Sequence, residues 1–377
     1  MRQLRLGCFR SSVLISNAFY AKRLKDLSKQ VINLKLQNNL PNNSICSPRM
    51  GMMSRTVMNP LFKHLREVTE DSVRVTLTLF KILIPAIIVV RLLELIGAAD
   101  FLADALSAPM EWLGLPAIAG IVWATTLLTN IYAGLIVLFT YSQAWTLEQI
   151  TLMGILMLGA HNLIVEIAIT YRGGCRLLPM ILIRIGGALG LAICMHWVYQ
   201  DMPSMQQPVS FDFAPDIGDN SWTSWIKAQL EMLFWTVVVI FGLVAVLRVA
   251  KLTGIERAIE NLLRPILKLI GIKREALPMS LIGMTLGLAY GGGLLIHEAE
   301  KGSISGRDIF ASFALLGLCH SLIEDTLLIA LTGAELHGIL WARLAFALIL
   351  IALLTRLLPL IPDQMFYRLL MRKPSSP

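Results

Sequence analysis

The sequence predicts an all-α polytopic membrane protein: two inverted repeats with about six spanning helices, two re-entrant hairpins and two interfacial helices. Three observations lead there. The 377-residue chain is 56% hydrophobic and only 15% charged, with a mean hydropathy of +0.67. A soluble domain carries roughly 25% charged residues. Next, Val75–Gly97, Leu177–Tyr199, Leu230–Val249 and Ile339–Leu360 approach or exceed the roughly 18–20 apolar residues that cross a bilayer. Finally, one polar motif occurs twice, at Gly159–Glu166 and Gly317–Asp325.

Residues 1–58 are polar and basic, with a soft run at Gln37–Ser47. Ser11–Tyr20 is too weakly apolar for a signal-peptide core. Met50, Met52, Met53 and Met58 offer later translation starts, so this tail reads as disordered or as preceding the true start. Asn59–Arg74 follows as a short cytoplasmic lead-in helix. The first repeat then covers 59–199, an extracytoplasmic acidic loop 200–226, the second repeat 227–362 and a basic cytoplasmic tail 363–377.

The repeats are matched by four features in the same order. Aligned on histidine, His161 meets His320, Asn162 meets Ser321, Leu163-Ile164 meets Leu322-Ile323, and Glu166 meets Asp325. Gly134-Leu135-Ile136 matches Gly293-Leu294-Leu295 at the same spacing, and Leu115-Pro116 matches Leu277-Pro278 after a small gap. Ahead of these lie two amphipathic segments, Ala99–Gly114 with Pro109 and Thr253–Gly271 with Pro265. Each half reads as a spanning helix, an interfacial helix, an apolar segment, a motif helix and a final spanning helix.

The apolar segments Leu115–Tyr141 and Ala276–His297 are interrupted by Thr129–Gly134 and by Tyr290–Gly293. Three consecutive glycines cost about 3 kcal/mol in a helix relative to alanine. Charge decides that these segments are hairpins. Basic loops collect on the cytoplasmic side of a membrane. If both segments return to the side they came from, the loops at Arg172/Arg176, at Lys251–Arg274, at Lys301/Arg307 and at Arg356–Lys373 are all cytoplasmic, as is the N-terminus. The acidic stretch Asp201–Asp219 and Trp112, Trp145, Trp197, Trp222 and Trp225 then lie at the outer face. If both segments cross, Arg172/Arg176 move outside. With three crossings per half, the second half is inverted, as in secondary transporters. A cell inner-membrane, multi-pass location follows.

Ionisable residues at membrane depth are costly and mark function. Here they are His161, Asn162 and Glu166 in the first motif, and His320, Ser321, Glu324 and Asp325 in the second. His161 and Glu166, five apart, point about 140° away from each other on a regular helix. They converge only if the helix breaks between them, which also frees backbone groups for a ligand. The hairpin tips, read as Thr129, Asn130, Gly291 and Gly292, face the same point. The alternatives are structural. Glu166 pairs with Arg172 or Arg176 at the helix end, and the histidines only pack. Arg184, inside Leu177–Tyr199, is the counter-charge to Glu166 or to Asp325. Five scattered cysteines, Cys8, Cys46, Cys175, Cys194 and Cys319, form neither a disulfide framework nor a zinc ribbon. No phosphate-binding loop is present, and no nucleophile–base spacing stands out, so an enzyme is not the reading.

The Gly159–Glu166 segment, repeated at Gly317–Asp325, resembles the nucleoside-recognition or gate domain of bacterial membrane proteins. The likeness covers about residues 75–360. The order of interfacial helix, hairpin, broken helix and spanning helix is similar to the core of concentrative nucleoside transporters, and to the membrane part of ferrous-iron transporters. The resemblance implies a substrate site between the hairpin tips and the broken helices. Three readings remain open. One is a permease for a small polar, nucleoside-like solute, coupled to Na+ or H+ and using Asn162, Glu166, Ser321, Glu324 and Asp325. The second is a divalent-metal permease using His161, Glu166, Cys319, His320, Glu324 and Asp325. The third is a non-transporting scaffold or signalling subunit. No resident cofactor is expected. The expected partners are the lipid bilayer, a small-molecule or ion substrate and a second copy of the chain, without nucleic acid.

Overall fold

A computed structural model describes residues 60–96, 108–140, 145–209 and 221–372. The tail 1–58, its methionines, most of the first amphipathic segment including Asp100 and Asp104, and the acidic loop from 210 to 220 lie outside the described residues. α1 (Pro60–Leu95) is one 36-residue helix, so the lead-in and the first span are continuous. A helical turn at 108–111 precedes α2 (Ile118–Leu128) and α3 (Ile131–Thr140). Next come β1 (Trp145–Thr146), α4 (Leu147–Gly159), α5 (Leu163–Arg172) and α6 (Leu177–Tyr199). β2 (Pro208–Val209) pairs antiparallel with β1.

The second half repeats the series. α7 (Trp222–Thr253), the amphipathic α8 (Ile255–Leu269), α9 (Leu277–Leu286) and α10 (Leu288–Glu300) lead to α11 (Gly306–Leu318) and α12 (Glu324–Ala330). A wide helical turn at His337–Ala342 then runs into α13 (Arg343–Leu357), and α14 (Asp363–Leu369) closes the chain. His161 and His320 are 159 residues apart. The same step carries α4 onto α11 residue for residue, and their N-caps, Thr146 and Ser305, onto each other.

Among the described residues, four stretches are long and apolar enough to cross a membrane: Leu147–Arg172, Leu177–Tyr199, Trp222–Thr253 and His337–Leu360. They expose large side chains such as Leu178, Leu182, Leu230, Phe234, Ile349 and Leu357, which only a lipid solvent tolerates as a continuous surface. α1 and α7, the equivalent first helices of the two halves, run antiparallel. Glu67 at the start of α1 pairs with Arg248 near the end of α7. Arg91 near the end of α1 lies 5.6 and 5.7 Å from the rings of Trp222 and Trp225 at the start of α7. Equivalent helices pointing in opposite directions are what inversion of one half means.

Both apolar segments fold back. α2 and α3 have 11 and 10 residues, about 16 and 15 Å at 1.5 Å per residue, half of a roughly 30 Å hydrocarbon core. The first hairpin is tied down where it enters: Gln149 Nε2 donates to Gly114 O at 3.0 Å, and a Cβ on Gly114 would stand 2.7 Å from His196. The chain leaves α3 for β1 at that same end. The second hairpin starts beside Lys273, whose ammonium is 2.9 Å from Asp308 at the start of α11, the helix that follows the hairpin.

The turn of the second hairpin corrects the sequence reading. It lies at Gly287 (φ +96°), between α9 and α10, and not at Tyr290–Gly293. Gly291 and Gly292 sit inside α10. A Cβ on Gly291 would fall 2.4 Å from Gly283 Cα, and one on Gly292 would meet Ile169 and Phe313. Tertiary contact outweighs the helix penalty of glycine: the two arms of the hairpin touch backbone to backbone.

The two ends of the molecule differ. At one end 172–176 meets the C-terminal segment: Arg176 N donates to Leu370 O at 2.9 Å and Arg372 N to Gly174 O at 2.7 Å. Thr355 Oγ1 donates there to Ile270 O at 2.5 Å. Residues 363–372 therefore belong to the packed body, with Phe366 fully buried. Most of the basic loops share this end. At the other end Glu335 N donates to Thr151 Oγ1 at 3.0 Å, next to β1 and β2. Trp145 is fully buried there, so it belongs to the core and not to an interfacial belt.

Candidate functional site

Both motif helices break at their histidine, which lies in the gap between the two helical pieces. α4 stops at Gly159 and α5 starts at Leu163; α11 stops at Leu318 and α12 starts at Glu324. Asn162 (φ 47°) and Ser321 (φ 48°) are the non-glycine residues with left-handed backbone among the described residues. That conformation costs an L-residue about 1–2 kcal/mol, and such strain collects at functional sites. The break lies well inside the bilayer span, with 13 helical residues on one side and 10 on the other.

A break strands backbone carbonyls that a continuous helix would have paired, and two buried arginines satisfy them. Arg184 Nη2 donates to His161 O at 2.9 Å, 23 residues away. Arg343 Nη2 donates to His320 O at 3.0 Å, also 23 residues away, and its Nε to Leu318 O at 3.2 Å. Arg184 is 0% and Arg343 2% exposed. The sequence reading of Arg184 as a counter-charge is met at Glu166, with which it forms an ion pair; Arg172 and Arg176 stay at the far end of α5. Arg343 escaped the reading altogether. Its signals were the same 159-residue step from Arg184 and its place inside an apolar span.

Each imidazole is anchored by Nδ1, to Met157 O at 2.9 Å for His161 and to Leu316 O at 2.6 Å for His320. The free Nε2 atoms face each other across 3.2 Å. Glu166 Oε1 lies 3.3 and 3.4 Å from them, and Asp325 Oδ2 lies 3.6 and 3.9 Å away. The break thus lets His161 and Glu166 converge as the residue spacing requires. The halves differ in one methylene. Glu166 is long enough to reach Arg184, whereas Asp325 and Arg343 form no ion pair among the described residues. Asp325 Oδ2 is buried without a hydrogen-bond partner, and the Ser321 hydroxyl bonds the same carboxyl group.

The hairpin tips adjoin the breaks. Asn162 N donates to Thr126 O at 3.0 Å and Leu322 N to Met284 O at 2.8 Å, and a Cβ on Gly287 would stand 2.8 Å from Ser321 Oγ. Thr129 and Asn130 occupy the first tip, where their side chains cap the hairpin: Thr129 Oγ1 donates to Thr125 O at 2.6 Å and Asn130 Oδ1 accepts from Ala133 N at 3.0 Å. Glu324 opens α12 beside Asp325. Cys319 does not join the histidine cluster. Its extended backbone (φ −149°, ψ 87°) turns the side chain into the apolar core of the second half. Among the described residues, the group whose ligand atoms converge closely enough for a metal is His161, His320 and Asp325. A separate polar group near β1, Glu148 with His196 at 2.8 Å and Gln206 at 2.6 Å, ties the chain that follows α6 to α4.

No family model matches the chain, and no solved structure matches it. Over 280 residues, 73% of this chain and 88% of the relative, it is 27% identical to the uncharacterized membrane protein YvoD of Bacillus subtilis (strain 168). The chain is an all-α polytopic membrane protein.

Proposed function

We propose that this protein is a transporter for a small polar solute or ion, bound where the two broken helices meet. The observation that carries the reading is the convergence of His161, His320, Glu166 and Asp325 from both repeats, with both carboxylates within 3.9 Å of each histidine Nε2, deep inside apolar spans. A purely structural centre would be cheaper to build from apolar side chains, since buried ionic groups are often neutral or worse for stability. Broken helices and hairpin tips supply backbone groups at membrane depth, as transporter sites do. The inverted halves supply two elements that rock against each other around the centre.

The bias of basic loops favours a cytoplasmic position for the basic end, in a cell inner membrane. The resemblance to the gate domain puts nucleosides first among solutes, with Na+ or H+ as the coupling ion. The test is uptake into proteoliposomes of a panel of nucleosides, nucleobases and other small polar solutes, under imposed Na+ or H+ gradients. The expected result is saturable uptake of one class, lost in Glu166→Gln and in Asp325→Asn. Leak-level uptake of every solute by the wild type, under either gradient and in either orientation, overturns the proposal.

A further inference from the structure

The polarity of the centre is one-sided. A backbone carbonyl can only accept, so Met157 O and Leu316 O require the proton of each imidazole on Nδ1. Each Nε2 is then a bare lone pair, and the two lone pairs point at each other across 3.2 Å. Around them stand two carboxylate oxygens, Glu166 Oε1 and Asp325 Oδ2, which are also acceptors. Four acceptors, the two Nε2 atoms included, gather here with no donor between them among the described residues. Backbone anchoring of the far ring nitrogen is also how metal-binding imidazoles are oriented.

The distances suit an ion. Ligands about 2.0–2.1 Å from a tetrahedral metal stand about 3.3–3.4 Å apart. The two Nε2 atoms are 3.2 Å apart, and Asp325 Oδ2 is 3.6 and 3.9 Å from them, so a shift of a few tenths of an ångström completes the set. Glu166 is already neutralised by Arg184, whereas Asp325 Oδ2 has no hydrogen-bond partner among the described residues. Both carboxylates face the histidines, and Asp325 is the one without an arginine ion pair among the described residues.

We infer that His161, His320 and Asp325 form a site for one divalent transition-metal ion that bridges the two repeats. Two neutral imidazoles and one carboxylate select zinc-, cobalt- or nickel-like ions over Mg2+ and Ca2+, which take oxygen-rich cages. His161 comes from the first repeat and the other two ligands from the second, so the ion ties the two breaks together. Glu166, whose Oε1 lies 3.3 and 3.4 Å from the two Nε2 atoms, is paired with Arg184 and stands outside this ligand set. Binding does not require that the protein transport anything, so it stands or falls separately from the transport reading.

The experiment titrates purified full-length protein in detergent with Co2+, following its ligand-field bands, with Zn2+, Mg2+ and Ca2+ as competitors. The expected result is one equivalent of Co2+ in a tetrahedral-type spectrum, displaced by Zn2+ and not by Mg2+ or Ca2+. His320→Gln and Asp325→Asn, checked for helicity and monodispersity, weaken binding about tenfold or more, while Cys319→Ser does not. Because either variant can lose its fold, Zn2+ is also expected to raise the melting temperature of the wild type and to leave that of folded Asp325→Asn unchanged. Absence of Co2+ binding to the wild type overturns the inference. So does binding that survives both ligand substitutions, or that Mg2+ competes away. Solute uptake without metal binding would sink this inference and leave the transport reading standing; metal binding without uptake of any solute would do the reverse.

Discussion

Replacing Arg184 with methionine tests whether the arginine holds the first break together. The side chain is fully buried, pairs with Glu166 and donates to His161 O. Methionine keeps much of the stem and removes the charge. Glu166, 5% exposed, is left as an uncompensated carboxylate. Removing one partner of a buried pair costs about 3–5 kcal/mol, which is two to nearly four powers of ten in the unfolding equilibrium at 1.4 kcal/mol per decade. Adding Glu166→Gln neutralises the stranded group, so the double variant is more stable than Arg184→Met alone. The coupling in the double-mutant cycle is then about 2 kcal/mol or more. Helicity followed through SDS titration in mixed micelles reads all four proteins. The corresponding cycle of Arg343→Met with Asp325→Asn gives a smaller coupling, because those groups form no direct ion pair. A loss below about 1 kcal/mol for Arg184→Met, or strictly additive substitutions, would refute this account of the break.

The other predictions follow from the same geometry. Gly291→Ala puts a methyl 2.4 Å from Gly283 Cα and costs about 1–3 kcal/mol through overpacking. Gly293→Ala meets nothing within 4 Å and is neutral or stabilising by up to about 1 kcal/mol; equal melting temperatures for the two variants would contradict the close hairpin. Ser321→Val forces a β-branched residue to φ 48° and destabilises by about 1–3 kcal/mol, whereas Ser321→Gly lies within about 1 kcal/mol of wild type by the same melts. In a cysteine-free background, cysteines at Lys273 and Gly302, flanking the second hairpin, react with an impermeant maleimide from one side. Cysteines at Trp112 and Gln200 react from the other side, and labelling of Lys273 and Gly302 from opposite sides would refute the re-entrant fold.

The pairing of His161 with His320 and of Glu166 with Asp325 was legible because a repeated motif leaves its polar residues in step even where the apolar surroundings drift. The break between them followed from helical geometry, since residues five apart cannot meet on an intact helix. The hairpins were legible from charge, which reports on which side a loop lies. The turn at Gly287 was not. A run of three glycines outweighs a single glycine by local propensity, and only the contact of Gly291 with Gly283 shows that the run serves packing. Cys319 looked like a ligand because it adjoins His320, yet one residue of extended backbone turns it into the core.

The sequence by itself determined the solvent of this protein, its twofold internal repeat and the polar residues placed at membrane depth, because composition, period and spacing are properties of the chain alone. Only the tertiary structure decided which of those residues touch. Arg184 binds Glu166, and Asp325, one methylene shorter than its counterpart, falls short of Arg343 and turns to the histidines. That difference depends on reach across a gap between separate helices, and the chain separation, the same in both halves, does not encode it.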